Sequence, residues 1–354
     1  EGTGYGMLLA AYLADRWTFE GLWKFSQKYV NQNGLMNWQI WPGHPNPVVG
    51  KGGATDADED IAMALLVAAE RWGGDYRAQA REQIDKVWQH EVAHSSPTVV
   101  LPGDSWGSCS SIDPSYFSPA WYRVFGKVTG KAADWNRAAD AGFATLAKCN
   151  ARNQGTGLTP QWTDCNCSSS PNVGKYAEHY WCDSVRVPLR MAISAAWHCD
   201  QRAIQQTRML AGFFGKQGAS AVQKGYTIQG QPLHTSETEI ACSEQCFVVT
   251  AAAAFVTGSA DPGQRAAFWK ETARTPSPQQ SCYFCDVLRM LSLLFAAGLL
   301  TEPQVDASAL NPLLVPLGAV AAPGQSQPAT AAPAASALPA TTTSPAPAPT
   351  PDPT

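Results

Sequence analysis

Four acids fall within five positions at Asp56, Asp58, Glu59 and Asp60, in the run Ala54-Thr55-Asp56-Ala57-Asp58-Glu59-Asp60-Ile61-Ala62. Ile61, Leu65, Ala68 and Trp72 continue the run at helical spacing, so the acids open a helix, whose positive end favours them. Two further carboxylates stand at the starts of apolar helical segments. Glu1 precedes the glycine-rich Gly2-Thr3-Gly4-Tyr5-Gly6, and Asp183 has Arg186 one helical turn on, where a cation holds a carboxylate ionised. Carboxyl groups in unlike environments can divide the work of acid–base hydrolysis, one giving a proton and another taking one. The plainer readings are acids on a solvated helix end for Asp56 and a surface ion pair for Asp183.

Two other patterns carry chemistry. His90-Glu91-Val92-Ala93-His94 satisfies the His-Glu-x-x-His pattern of zinc peptidases, but no third ligand is evident downstream and Ser95-Ser96-Pro97 ends the helix. Cys242-x3-Cys246 with Cys282-x2-Cys285 has ligand spacing for a structural zinc. Disulfides are the preferred account, because ten cysteines are an even number and suit an oxidising compartment. Their pairing is not legible in sequence.

The elements that must position these groups are helical. Apolar residues recur at helical spacing over 5–15, 58–72, 77–94, 115–129, 132–148, 183–198, 201–214, 243–257, 263–274 and 287–297, while strand signals are scarce. Helices joined by loops of mixed length predict helical hairpins packed about a common axis. The loops are rich in Gly, Trp and Asn, as at 33–38 and 102–107, and such loops commonly carry sites. We expect one globular domain over residues 1–306 and a low-complexity tail over 307–354, which from Pro323 is almost wholly Pro, Ala, Thr and Ser and is expected to be a disordered linker.

Composition excludes other classes. A net charge of -4 with scattered Lys and Arg argues against nucleic acid, and the longest apolar run, 247–256, is about half a membrane span. No membrane or nucleic-acid partner is expected, and a secreted monomer is.

At the acid cluster the sequence resembles glycoside hydrolase family 8, whose signature is matched at Ala54, Asp56, Asp58, Ile61, Ala62 and Trp72. The resemblance runs from Glu1 to about Gly298, with similar stretches at 33–38, 102–107, 114–122 and 225–230. It implies an all-α (α/α)6 barrel with a cleft across one end, and hydrolysis of a β-1,4-linked polysaccharide with inversion at the anomeric carbon. It implies Glu1 as general acid, Asp183 as general base and Asp56 as the acid that holds the distorted sugar. Trp38, Trp106, Arg186, Tyr122 and Tyr283 are expected at the substrate, the tryptophans stacking on apolar sugar faces. No cofactor or metal is expected.

Three departures qualify the resemblance. The family acid normally follows a preceding helix, so one barrel helix is expected to be missing, and a first residue is prone to fray. Cys182 stands where relatives usually have Tyr. Tyr283 and Phe284 are flanked by Cys282 and Cys285. The expected activity is an endo-β-1,4-glucanase. The rivals are a xylanase or other β-1,4-glycanase of the family, and a carbohydrate-binding fragment that has lost catalysis. The tail also suggests a carbohydrate-binding module beyond Thr354.

Overall fold

The computed structural model describes residues 1–168, 174–234, 242–259, 261–274 and 282–305; the expected tail over 307–354 lies outside them. In chain order come α1 (Gly2–Tyr12), α2 (Arg16–Lys28), β1 (Gln39–Ile40), β2 (Val48–Gly50), α3 (Thr55–Trp72), α4 (Tyr76–His90), α5 (Pro119–Thr129) and α6 (Ala132–Arg152). Then follow β3 (His179–Tyr180), α7 (Arg186–His198), α8 (Gln201–Gln217), β4 (Tyr226–Thr227), α9 (Glu244–Gly258), α10 (Pro262–Ala273) and α11 (Tyr283–Ala296). Strands β1 and β2, and β3 and β4, form two short antiparallel pairs that brace loops.

The odd-numbered helices form an inner ring. Helix α1 packs on α3, α5 on α7, α7 on α9, α9 on α11 and α11 back on α1. The step from α3 to α5 is made by Trp121, whose indole N–H donates to Asp60 at 2.8 Å. Each even-numbered helix covers its neighbour from outside, so the described residues hold six inner and five outer helices, as a barrel short of one helix requires.

The sequence explains which helix goes where. Every residue of α7 from Arg186 to Ala195 is buried, as is every residue of α9 from Cys246 to Phe255. Helix α9 is apolar all round and α7 is so but for Arg186, Arg190 and Ser194, and helices enclosed on every side sit inside. Helix α4 buries only Ala80, Gln83, Ile84 and Val87, a stripe at helical spacing that suits an outer position. Helix α2, absent from the periodic segments, buries only Phe19 and Ser26. Leu22 and Trp23 are half-buried against the core beside Phe19, so the helix does carry an apolar stripe, which the sequence reading passed over.

Helix α3 is the unusual inner helix, because all four of its clustered acids are enclosed rather than solvated. Asp60 receives both Arg190 nitrogens at 2.6 and 2.7 Å, and Asp58 accepts from Gln83 at 2.9 Å. Burial pushes Asp58 up to about 7 and Glu59 up to about 8, and lifts neighbouring Glu91 well above the ordinary carboxylate range. In the unfolded chain these groups ionise near pH 4. Their folded pKa values are raised, so the stability they contribute is full below about pH 4 and is lost as pH rises toward 7 and 8. The melting temperature is therefore expected to fall by on the order of 5 °C between pH 5 and pH 8. The double variant Asp58→Asn, Glu59→Gln should flatten that dependence in calorimetry, and a flat wild-type curve would contradict it.

Candidate active site

Glu1 caps the N-terminus of α1. A Cβ on Gly4 would lie 2.9 Å from the Ala57 carbonyl oxygen and 3.0 Å from Asp60 Cβ, so glycine is what lets α1 press against α3. That close approach brings Glu1 beside Asp56, in the first turn of α3. Asp183 arrives from the opposite side of the ring on a 3-10 turn that leads into α7, and Arg186 is the first residue of that helix.

Arg186 gathers the acids. Its Nη1 donates to Glu1 Oε2 and to Asp56 Oδ2, each at 2.9 Å; its Nη2 donates to Asp183 Oδ1 at 2.8 Å and to Asp113 Oδ2 at 3.3 Å. Its Nε donates to Ser115 Oγ at 2.9 Å, and its guanidinium lies over the rings of Tyr116 and Phe284. Because the Glu1 and Asp183 oxygens sit on one guanidinium, they are at most roughly 8 Å apart, a bound that admits both the roughly 5 Å of a retaining carboxyl pair and the roughly 6.5 to 9.5 Å of an inverting one.

One cation faces four carboxylates in this enclosure, so they cannot all be ionised at modest cost. Asp113 is fully enclosed, and burial followed by repulsion from Asp183 pushes it well above its ordinary value. Enclosure also raises Asp183, opposed by Arg186 and reinforced by Glu1. Asp183 Oδ2 accepts from Trp162 Nε1 at 3.2 Å, and its backbone N–H donates to Gln161 Oε1 at 2.8 Å. Its side chain keeps 33% exposure, against 2% for Asp56 and 24% for Glu1. Asp183 is thus basic, oriented and open to water, while Asp56 and Asp113 sit deeper. The Tyr283 hydroxyl donates to the second oxygen of Glu1.

These groups form the floor of a cleft of about 560 Å³, with Trp38, Ile40 and Pro42 along one wall and Tyr116 and Tyr283 nearby. A depression of about 620 Å³ lies elsewhere, around Arg123, Asp140, His198 and Arg202. Its charges are already matched in the pairs Arg123–Asp200 at 2.7 Å and Arg202–Asp140 at 2.6 Å. The carboxylate cleft is the one equipped for chemistry.

Glu1, Asp56, Asp183, Arg186, Trp38 and Tyr283 are therefore brought together. Trp106 is one layer out: it packs on Trp162 with ring centroids 5.4 Å apart, and Trp162 makes the contact to Asp183. The expectation for Tyr122 is corrected. It is fully buried, stacked on Trp135 at 5.5 Å, and its hydroxyl donates to the Tyr116 carbonyl. Tyr116, in a 3-10 turn before α5, is the aromatic of that stretch that lines the cleft. Sequence reasoning also missed Asp113 and Trp162. The only local signal for Asp113 is that it caps this turn, accepting from Ser115 N–H at 2.7 Å.

Neither metal pattern keeps its full ligand set, although the sulfurs of Cys246, Cys282 and Cys285 lie within 4.8 Å of one another. Helix α4 stops at His90, and the chain turns away to pair Val92 with Val100, so His90 and His94 share no helical face. His94 packs on Trp88 and Glu91 points into the core. Cys242 is joined to Cys182 and Cys246 to Cys285, which leaves no set of four thiolates. The remaining disulfides are Cys109–Cys165 and Cys149–Cys167, with Cys199 and Cys282 free. Cys182–Cys242 ties the residue before Asp183 to the segment entering α9.

Comparison with known proteins matches this sequence to a family. A model described as glycosyl hydrolases family 8 covers residues 1–298. Endoglucanase A of Acetivibrio thermocellus is 37% identical over 316 residues, 87% of this chain and 63% of its own. Endoglucanase C of Ruminiclostridium cellulolyticum is 33% identical over 305 residues, 84% of this chain and 63% of its own. The chain thus spans under two thirds of the length of these relatives. The reducing-end xylose-releasing exo-oligoxylanase Rex8A of Paenibacillus barcinonensis is 27% identical over 257 residues, 66% of this chain and 65% of its own. A solved structure of a Rex8A mutant complexed with an arabinofuranosyl-xylotetraose superposes with a TM-score of 0.74 at 24% identity, covering 86% of this chain and 82% of that one. At that identity the likeness concerns the fold.

Proposed function

This chain belongs to family 8 of the glycosyl hydrolases, and from that premise we propose that it is an endo-acting β-1,4-glucanase that inverts the anomeric centre. The reading rests on one observation: Glu1 and Asp183 accept from neighbouring nitrogens of one arginine on the floor of one cleft. In the proposed reaction Glu1 carries the proton and gives it to the glycosidic oxygen. Asp183, ionised and solvent-facing, takes a proton from a water that attacks the opposite face of the sugar. Asp56 steadies the ring as positive charge develops on it. Tyr283, bonded to Glu1, holds the acid in place at the chain's first residue.

The relatives at 37% and 33% identity are both endoglucanases by name, whereas the oligoxylanase stands at 27%, which favours glucan over xylan. Residues 1–306 are the proposed catalytic unit and 307–354 a linker. The disulfides support an extracellular site of action, and no helix among the described residues is long and apolar enough to cross a membrane.

Activity on carboxymethylcellulose, lichenan, xylan and chitosan, measured side by side, tests the reading. Carboxymethylcellulose viscosity is expected to fall faster than reducing ends accumulate, with the α-anomer appearing first in proton NMR. Hydrolysis of xylan alone would overturn the glucan assignment, and a β-anomer would overturn inversion.

A further inference from the structure

The wall of the cleft nearest Trp38 is the β1–β2 hairpin, and its tip is the unusual sequence Trp41-Pro42-Gly43-His44-Pro45-Asn46-Pro47. Trp41 is 63% exposed, yet its two chain neighbours, Ile40 and Pro42, both line the cleft. Its ring is not left to swing. The imidazole of His44 stacks against one face, with centroids 5.3 Å apart and planes 22° from parallel. Trp41 N–H donates to the Pro47 carbonyl at 2.8 Å, and His44 N–H donates to the Trp41 carbonyl at 3.2 Å. His44 Nδ1 is held by Asn46, 2.8 Å from its carbonyl oxygen and 3.1 Å from its backbone nitrogen. Three prolines and Gly43, at φ 88°, fix the tip.

A single exposed aromatic residue is ordinary on a protein surface. Trp17 is such a residue: it is 87% exposed on the outer helix α2, and neither it nor its chain neighbours line the cleft. Trp41 differs in three ways. It sits at the rim between two cleft-lining residues on the strand that leads from Trp38, one of its faces is backed by a ring so that the other stays open, and its loop is held by its own hydrogen bonds. Pre-ordering removes most of the entropic cost of capture. An open indole face beside a sugar cleft matches the apolar C–H face of a pyranose.

We propose that Trp41, backed by His44, is a sugar platform at the rim of the cleft, taking a pyranose unit of a β-1,4-linked chain beyond the units held over the carboxylates. This rests on the reading of the cleft as a glycan site and adds to it a preference for longer chains. The platform touches no reacting atom, so it acts on binding of long substrates and leaves the chemical step alone.

The test is Trp41→Ala, with Trp17→Ala as the exposed-tryptophan control and Trp41→Tyr as the variant that keeps a stacking face. Dissociation constants for cellotriose and cellohexaose are measured by calorimetry in an Asp183→Asn background, and kcat and KM on cellohexaose with Asp183 intact. Trp41→Ala is expected to weaken cellohexaose binding and raise KM by about tenfold, with kcat and cellotriose affinity unchanged. Trp41→Tyr should recover most of the loss, and Trp17→Ala should have no effect. Equal cellohexaose affinity with and without the Trp41 indole overturns the platform, as does an equal loss for cellotriose. Xylohexaose is run alongside: if it binds in place of cellohexaose and Trp41→Ala weakens it, the platform stands and the glucan assignment falls. Failure of both hexaoses to bind overturns both.

Discussion

Asp183→Asn is expected to lower kcat on carboxymethylcellulose by about 10³-fold or more with little change in KM or melting temperature. Asparagine presents a carbonyl oxygen where Asp183 Oδ1 now accepts from Arg186, so the architecture can persist while the basic group is lost. Glu1→Gln should be comparably slow on polysaccharide, but for a different reason, since it removes the proton from the leaving oxygen. An aryl glycoside with a good leaving group needs no such proton, so it should recover rate in Glu1→Gln and not in Asp183→Asn. The pH profile offers a further check. Asp183 must be ionised to act and enclosure raises its pKa, so activity should climb with pH above the ordinary carboxylate range. Near-normal turnover in Asp183→Asn would remove it as the base.

Arg186→Ala carries the second large effect, on activity and stability together. Arg186 is 2% exposed, and among the described residues no other cation reaches all four of its carboxylate partners. Removing it strands buried charge, a loss of about 3–5 kcal/mol, and the carboxyls answer by taking up protons. Arg186 at present lowers the Asp183 pKa, so its removal should move the acidic limb of the pH–rate profile upward as well as reduce kcat by about 10³-fold. Arg186→Lys keeps a charge but offers no planar fork to serve acids on two nitrogens, and should recover stability better than rate. An Arg186→Ala protein with wild-type melting temperature and profile would mean the four contacts matter little.

Helix type and site chemistry were legible because both are short-range patterns. Ten of the helices follow from apolar spacing, and the acid run at 56–60 announced a helix start. The sheltering of that start was not legible. Helical spacing says which residues share a face but not which face meets solvent, so it could not show that all four acids are enclosed. Tyr122 failed for the same reason: six residues from Tyr116 in sequence, it points to the core because Pro119 starts α5 between them. Helix α4 was read past His90 because pairing of Val92 with Val100, a contact across a loop, outweighed its local pattern.

By itself the sequence determined the helical class and the family likeness, and it singled out Glu1, Asp56 and Asp183 as candidate acids. Only the tertiary structure brings the three onto one arginine. Arg186 finds its four acids at separations of 3, 73, 130 and 185 residues, and no local propensity encodes such meetings. Closing the inner helix ring brings them together, because helices such as α7 and α9 are enclosed on every side only when packed on their neighbours. The buried cation then distributes its charge among carboxylates that could not share that space without it.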